Sequence, residues 1–128
     1  MMKGPPKPTD AELEILTILW SRGASTVREV HEAMSGRKVM QYTTVLKQLQ
    51  VMTDKGLVRR DVGQRSHVYE PTRPCGWTQQ QLASDLLQRA FNGSASGLML
   101  GALSAQPLSK QELSELQKLL SDYARKLK

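Results

Sequence analysis

Between residues 42 and 51 the sequence sets hydroxyls, amides and a cation around three apolar positions. Val45, Leu49 and Met52 recur at i, i+4 and i+7, the spacing of one buried helix face. Tyr42, Thr43, Thr44, Lys47, Gln48, Gln50 and Val51 fall on the faces left over. Threonine hydroxyls suit phosphate oxygens or thymine methyls, glutamine can pair with adenine, and lysine can reach guanine or phosphate. Arg37 and Lys38 precede this helix, and Arg59, Arg60 and Arg65 follow it. Singly, each of these residues has a plainer account, as a helix cap or a solvated surface cation. Together they make one segment chemically suited to double-stranded DNA.

Other reactive side chains are few. His31 is expected on the exposed side of its helix and His67 in a hairpin. Neither has a second ligand at metal-binding spacing, so no metal and no cofactor is expected. The only cysteine, Cys75, excludes a disulfide framework and reads as an inert thiol. No Gly-x-Ser-x-Gly, His-Glu-x-x-His, glycine-rich phosphate loop or Cys–His arrangement is present, which argues against an enzyme.

Eighteen basic against 12 acidic residues give the 128-residue chain a net charge of +6, and that charge is unevenly placed. Residues 9–36 carry two arginines against five carboxylates, whereas residues 37–76 carry eight basic residues against Asp54, Asp61 and Glu70. The excess is thus concentrated on the segment singled out above, and the residues before it are acidic.

The elements that must position this segment can be read in order. Thr9 and Glu12 form a capping box, and Leu13, Ile15, Leu16, Leu19 and Trp20 give the first helix an apolar stripe that Arg22-Gly23 ends. Ser25 and Thr26 offer the next N-cap, with Glu29 three after Thr26, for a second helix with Val27, Val30 and Met34 inward, stopped by Ser35-Gly36. The third helix starts near Tyr42-Thr43 and ends at Lys55-Gly56. Leu57–Asp61 and Ser66–Glu70 then read as a β-hairpin, with Leu57, Val58, Val68 and Tyr69 as candidates for its inner face. Three helices followed by a basic hairpin is the layout of a winged helix-turn-helix, in which the third helix enters the major groove.

Pro71 to Gly76 reads as a hinge. Beyond it, Thr78 with Gln81 is expected to cap a helix through Leu82, Leu86, Leu87 and Phe91, which Asn92-Gly93 ends. A short apolar segment with Leu98, Met99, Leu100 and Leu103 follows. A last helix starts at Ser109 and Glu112, read as a capping box with Leu108 and Leu113 as its hydrophobic staple. About 50 residues in three leucine-rich helices make a marginal core alone, which favours pairing with a second copy through Leu98, Leu100, Leu103, Leu113, Leu116 and Leu120. The expected fold is therefore mainly α with a small β-hairpin wing: a flexible N-terminal arm at 1–8, a winged helix-turn-helix at 9–74 and a helical dimerisation domain at 75–128. Met1-Met2-Lys3 leads into Gly-Pro-Pro-Lys-Pro and not an apolar run, and the longest uncharged stretch, Ala90 to Ser109, is too polar to span a bilayer. A soluble, cytoplasmic protein with no membrane contact is expected.

The stretches Asp10-Ala-Glu-Leu-Glu-Ile-Leu-Thr-Ile-Leu-Trp20, Thr26-Val-Arg-Glu-Val30, Tyr42-Thr-Thr-Val45 and Lys55-Gly-Leu-Val58 resemble the penicillinase-repressor (BlaI/MecI) family, as does the ending Tyr69-Glu-Pro71 after Arg65. The likeness runs from about Asp10 to Leu120. It implies a homodimeric transcriptional repressor that binds an inverted-repeat operator through its N-terminal domain and pairs through its C-terminal helices, in control of a β-lactam-resistance or related stress operon. The expected DNA-binding set is Arg37, Lys38, Tyr42, Thr43, Thr44, Lys47, Gln48, Gln50, Arg60 and Arg65. The resemblance also implies a regulatory protease as a partner, and its register places the cleavage position at Gly101–Ala102. The family's Asn–Phe pair is absent there, which puts proteolytic induction in doubt. The C-terminal cysteine cluster of copper-responsive relatives is also absent. Two other readings stay open: a winged helix used as a protein-interaction module, and a ligand-sensing regulator without proteolytic induction.

Overall fold

The computed structural model describes residues 7–36, 39–63 and 65–127. Arg37 and Lys38 lie outside them, as do residues 1–6 of the expected arm. Helix α1 spans Asp10–Arg22 and opens on the expected capping box: the Glu12 amide donates to Thr9 Oγ1 at 3.2 Å, and the Thr9 amide donates to Glu12 Oε1 at 2.9 Å. It stops at Gly23, whose φ of 91° lies where an L side chain would be strained. Strand β1 (Ser25–Thr26) leads directly into helix α2 (Val27–Ser35), where Thr26 and Glu29 form a second capping box. Helix α3 covers Tyr42–Lys55 and ends on Gly56 in the left-handed conformation.

Strands β2 (Val58–Asp61) and β3 (Val68–Pro71) are the expected hairpin, each beginning one or two residues later than the sequence suggested. They belong to a three-stranded antiparallel sheet of order β1-β3-β2, in which Tyr69 faces Ser25 on one side and Arg60 on the other. The third strand corrects the two-stranded expectation. It has two residues and forms only because β3 lies beside it, so no periodicity announces it.

Three helices and the sheet enclose one core. Ile15, Leu16 and Leu19 of α1 meet Val30 and Met34 of α2, Val45, Leu49 and Met52 of α3, and Val58 and Tyr69 of the sheet, all buried. At about 1.5–3 kcal/mol per buried side chain, this cluster is the main favourable term holding the helices together. Glu12 is the charged member of the buried set, at 2% exposure, and it is fully partnered: besides its capping bond, its Oε2 accepts from Lys55 Nζ at 2.7 Å. The first turn of α1 is thereby joined to the last turn of α3.

Helices α4 (Cys75–Ala90), α5 (Ala95–Ala105) and α6 (Lys110–Lys126) complete the described chain. The chain divides into two compact units after Ala83, within α4. Two expectations about this stretch are corrected. Thr78 is not a helix cap: α4 starts at Cys75, and Thr78 lies inside it, 7% exposed. Pro71 to Gly76 is not a free hinge. Pro71 ends β3, Cys75 and Gly76 begin α4, and between them Thr72 donates its amide to Leu57 O and its hydroxyl to Gly56 O. In the second unit, α5 and α6 follow side-chain caps at Ser94 and Ser109; at Ser109 only the Glu112 amide bond of the expected box is made, and neither helix buries a single residue.

Burial pushes the Glu12 carboxyl up, but the hydrogen bonds from Lys55 and Thr9 and the Lys55 charge outweigh it and hold the group below its ordinary value near 4.5. A carboxylate lowered in the fold contributes stability above its unfolded pKa and loses it as pH falls through the folded one. Glu12→Gln should therefore cost about 1–3 kcal/mol at pH 7. In urea melts the gap to the parent should narrow as the pH drops from about 6 to about 3. A gap constant across that range would contradict the assignment.

Candidate nucleic-acid interface

The apolar spacing of α3 decides which of its side chains remain available. With Val45, Leu49 and Met52 turned into the core, Tyr42, Thr43, Thr44, Lys47 and Gln50 are exposed, Gln48 is half-buried, and Val51 stands at the margin of exposure. The structure gives this helix a start unlike those of α1 and α2. Its N-cap is Gln41, and no side chain caps it. Thr43 and Thr44 are thus first-turn residues and not caps, so their hydroxyls are not spent on closing the helix. An uncapped N-terminus also leaves the positive end of the helix dipole available to an anion such as a phosphate.

Two grooves flank α3. One of about 620 Å³ is lined by Thr43, Thr44, Lys47, Gln48 and Val51 together with Thr9 and Glu12 of the α1 start. The other, of about 490 Å³, brings Tyr42 and Leu46 of α3 together with Thr26, Val27 and Arg28 of α2 and with Arg65, Ser66 and His67 of the hairpin. Arg65, near the wing tip, and Tyr42, on the first turn of α3, therefore line the same groove from separate elements. Arg60 is exposed on β2. Its neighbour Arg59 is committed to the cross-strand partner Glu70 at 2.9 Å.

Some of what shapes this surface escaped the sequence reading. Arg28 and His67 line the second groove, and neither was singled out for it; Arg28 could have been found as the second residue of a capped helix that precedes the reader. His31 is also not on an exposed face, as the helix pattern suggested. It is half-buried, with Nε2 donating to Met40 O at 2.7 Å and its ring meeting Tyr42 edge-on, centroids 5.8 Å apart. It thus braces the residues that lead into α3. Burial among residues from the connection, nine positions away, left no mark in the helical pattern.

The leucines expected to pair with a second copy lie on α5 and α6. Leu98 and Leu116 are half-buried and the other four are exposed, Leu100 at 67% and Leu120 at 60%. Gly101 and Ala102 lie inside α5, where a Cβ at Gly101 would sit 3.4 Å from the Phe91 ring. Among the described residues no group of three or more His, Cys, Asp or Glu could hold a metal ion, and no helix is long and apolar enough to cross a membrane.

The family model described as "Penicillinase repressor" matches residues 8–122. The penicillinase repressor of Bacillus licheniformis is 26% identical over 127 residues, with 99% of each chain covered. The transcriptional regulator BlaI of Mycobacterium tuberculosis is 44% identical over 63 residues, which cover 48% of this chain and 46% of that protein. Among solved structures, the Bacillus licheniformis BlaI monomer in complex with the blaP half-operator superposes with a TM-score of 0.51 at 27% identity, over 59% of this chain and 92% of that one. The isolated DNA-binding domain of the repressor BlaI gives the same TM-score and identity over 58% of this chain and 90% of that one.

The two kinds of contact expected at this surface separate experimentally. Thr44→Ala and Lys47→Ala should lower discrimination between a bound and a scrambled duplex by about 1–3 kcal/mol for each base contact removed. Arg65→Ala should weaken both duplexes alike and reduce the salt slope by about one. Fluorescence anisotropy on both duplexes across a salt series distinguishes these patterns. Equal losses on both duplexes for Thr44→Ala would remove it from the reading face.

Proposed function

Because this chain belongs to the penicillinase repressor family, we infer that it is a transcriptional repressor that recognises an inverted-repeat operator in double-stranded DNA as a homodimer. The observation that carries this reading is the outward face of α3. It joins an uncapped N-terminus, two threonines and Lys47 on a helix whose other face is locked into the core. In this reading α3 enters the major groove with Thr43, Thr44, Lys47, Gln48 and Gln50 toward base edges. Tyr42 and Arg65 meet the backbone beside it, with Arg60 along the wing. Arg37 and Lys38, outside the described residues, would add charge just before the reader.

The pairing half follows from burial. Helices α5 and α6 leave Leu100, Leu103, Leu113 and Leu120 exposed, and a second copy related by a two-fold axis would cover these together with Leu98 and Leu116. We assign reading to residues 9–74 and pairing to the helices that follow. The reading contains no catalytic step and places the protein in the cytoplasm, with its DNA. A regulatory protease acting at Gly101–Ala102 would have to accept that pair and open α5 around it.

Footprinting of the purified chain on the DNA surrounding its own gene tests the reading. It should protect two inverted half-sites centred about 34–36 Å apart, or a multiple of that. Affinity should fall by on the order of 10³–10⁵ between 50 and 200 mM salt if about 6–10 phosphates are contacted. Sedimentation should find a dimer at micromolar concentration. Uniform binding with no preferred site would remove the repressor assignment, and a monomer at that concentration would remove the pairing role of the leucines.

A further inference from the structure

The groove between α2, the first turn of α3 and the hairpin holds two basic groups with no role so far. Arg28 comes from the first turn of α2 and His67 from the hairpin, and they line it together with Arg65 and Tyr42. Arg28, Arg65 and His67 are all exposed, and among the described residues none of the three forms an ion pair. No aspartate or glutamate lines this groove. The carboxylates of the flanking elements lie outside it. Glu29 accepts from the Thr26 amide at 2.9 Å and sits 3.9 Å from Arg22, Asp61 accepts from the Gly63 amide at 2.9 Å, and Glu32 follows Arg28 by one turn of α2. Tyr42 and Tyr69 are the other titratable groups of the lining. His31 meets the Tyr42 ring edge-on, but its Nε2 is already spent on Met40 O.

We propose that Arg28 and His67 hold one backbone phosphate of the duplex between α2 and the wing, beside the phosphate that Arg65 meets, and that His67 takes it as the imidazolium. The proposal rests on the DNA-binding reading of α3 and adds a proton to it. The chemistry of the lining selects an anion: three basic groups from two elements, the hydroxyls of Tyr42 and Ser66, and no carboxylate. The position selects DNA as its source. Tyr42 belongs both to the reading helix and to this groove, so a duplex seated on α3 brings its own backbone there. Arginine keeps its charge throughout, whereas histidine is the side chain that changes charge between about pH 5 and 8. A phosphodiester nearby favours the charged imidazole, so the complex holds more protons than the free protein. Affinity therefore rises as the pH falls, by at most about tenfold per pH unit for one proton.

The test is fluorescence anisotropy of the full chain on its footprinted duplex and on a scrambled one, at constant ionic strength and several pH values. The parent should bind both about threefold to tenfold more tightly at pH 5.5 than at pH 7.5. His67→Gln should bind as the parent does at pH 7.5 and lose the gain at pH 5.5. His31 is the only other histidine and stays in place in this variant, so it serves as the internal control. His67→Arg, which fixes the charge, should hold the tight affinity at both pH values. Arg28→Gln should weaken both duplexes alike by about threefold to tenfold and lower the salt slope by about one. Millimolar inorganic phosphate should leave the parent's affinity within about twofold, because a free phosphate is not held by α3. A parent indifferent to pH, a His67→Gln variant that keeps the parental response, or an Arg28→Gln variant with parental affinity overturns the proposal alone. Full competition by inorganic phosphate makes the groove a site for the free ion and overturns it too. A parent that binds neither duplex overturns the DNA-binding reading, and this proposal with it.

Discussion

Glu12 is a carboxylate at 2% exposure whose two oxygens serve different elements: Oε1 accepts from the Thr9 amide, and Oε2 accepts from Lys55 Nζ, 43 residues away. An unpaired carboxylate at that depth would cost several kcal/mol, so α1 and α3 must meet in the register that satisfies both oxygens. Buried pairs of this kind are weak devices for net stability and better ones for fixing geometry. Here the geometry fixed is the angle at which α3 is held. The same pair settles an electrostatic problem, because Glu12 lines the groove beside Thr44 and Lys47. A bare carboxylate there would repel an anion, and the Lys55 ammonium 2.7 Å away offsets its charge.

From that joint the rest of the reading surface follows. Val45, Leu49 and Met52 lock one side of α3 into the core, which leaves the polar side outward at positions the helix repeat dictates. The sheet holds the wing through Tyr69, buried in the middle strand between β1 and β2, so Arg65 reaches the groove that Tyr42 also lines. Helices α5 and α6 are the opposite case. They have side-chain caps but bury nothing within the one chain, and the proposed second copy would cover their leucines.

What the sequence disclosed and what it concealed divide by range. The capping boxes of α1 and α2, the glycine stops at Gly23 and Gly56 and the inward faces of α2 and α3 depend on residues within a turn or two of one another and were legible. On α1 the stripe was legible in part, since Ile18 is buried where Leu13 and Trp20 were expected and are only half-buried. Strand β1, the Glu12–Lys55 pair, the His31 contacts and the Trp20–Arg73 bond join residues 9 to 53 positions apart. No local period encodes them. The misreading of Pro71 to Gly76 has the same origin. Two prolines and a glycine look like a hinge until Trp20 and Gly56 are known to lie beside them. Residue types and the charge partition made the interface legible as a region, while the Lys55 partner of Glu12 and the contacts of His31 became visible only in three dimensions.

The central claim is that the exposed side of α3 is the surface that reads DNA. Amide chemical-shift mapping of the full chain, titrated with a duplex carrying one selected half-site, tests it most directly. The account predicts the largest shifts at Thr43 to Gln50 and at Arg65 to His67, with α5 and α6 unmoved. Shifts concentrated on α5 and α6, with α3 silent, would contradict it.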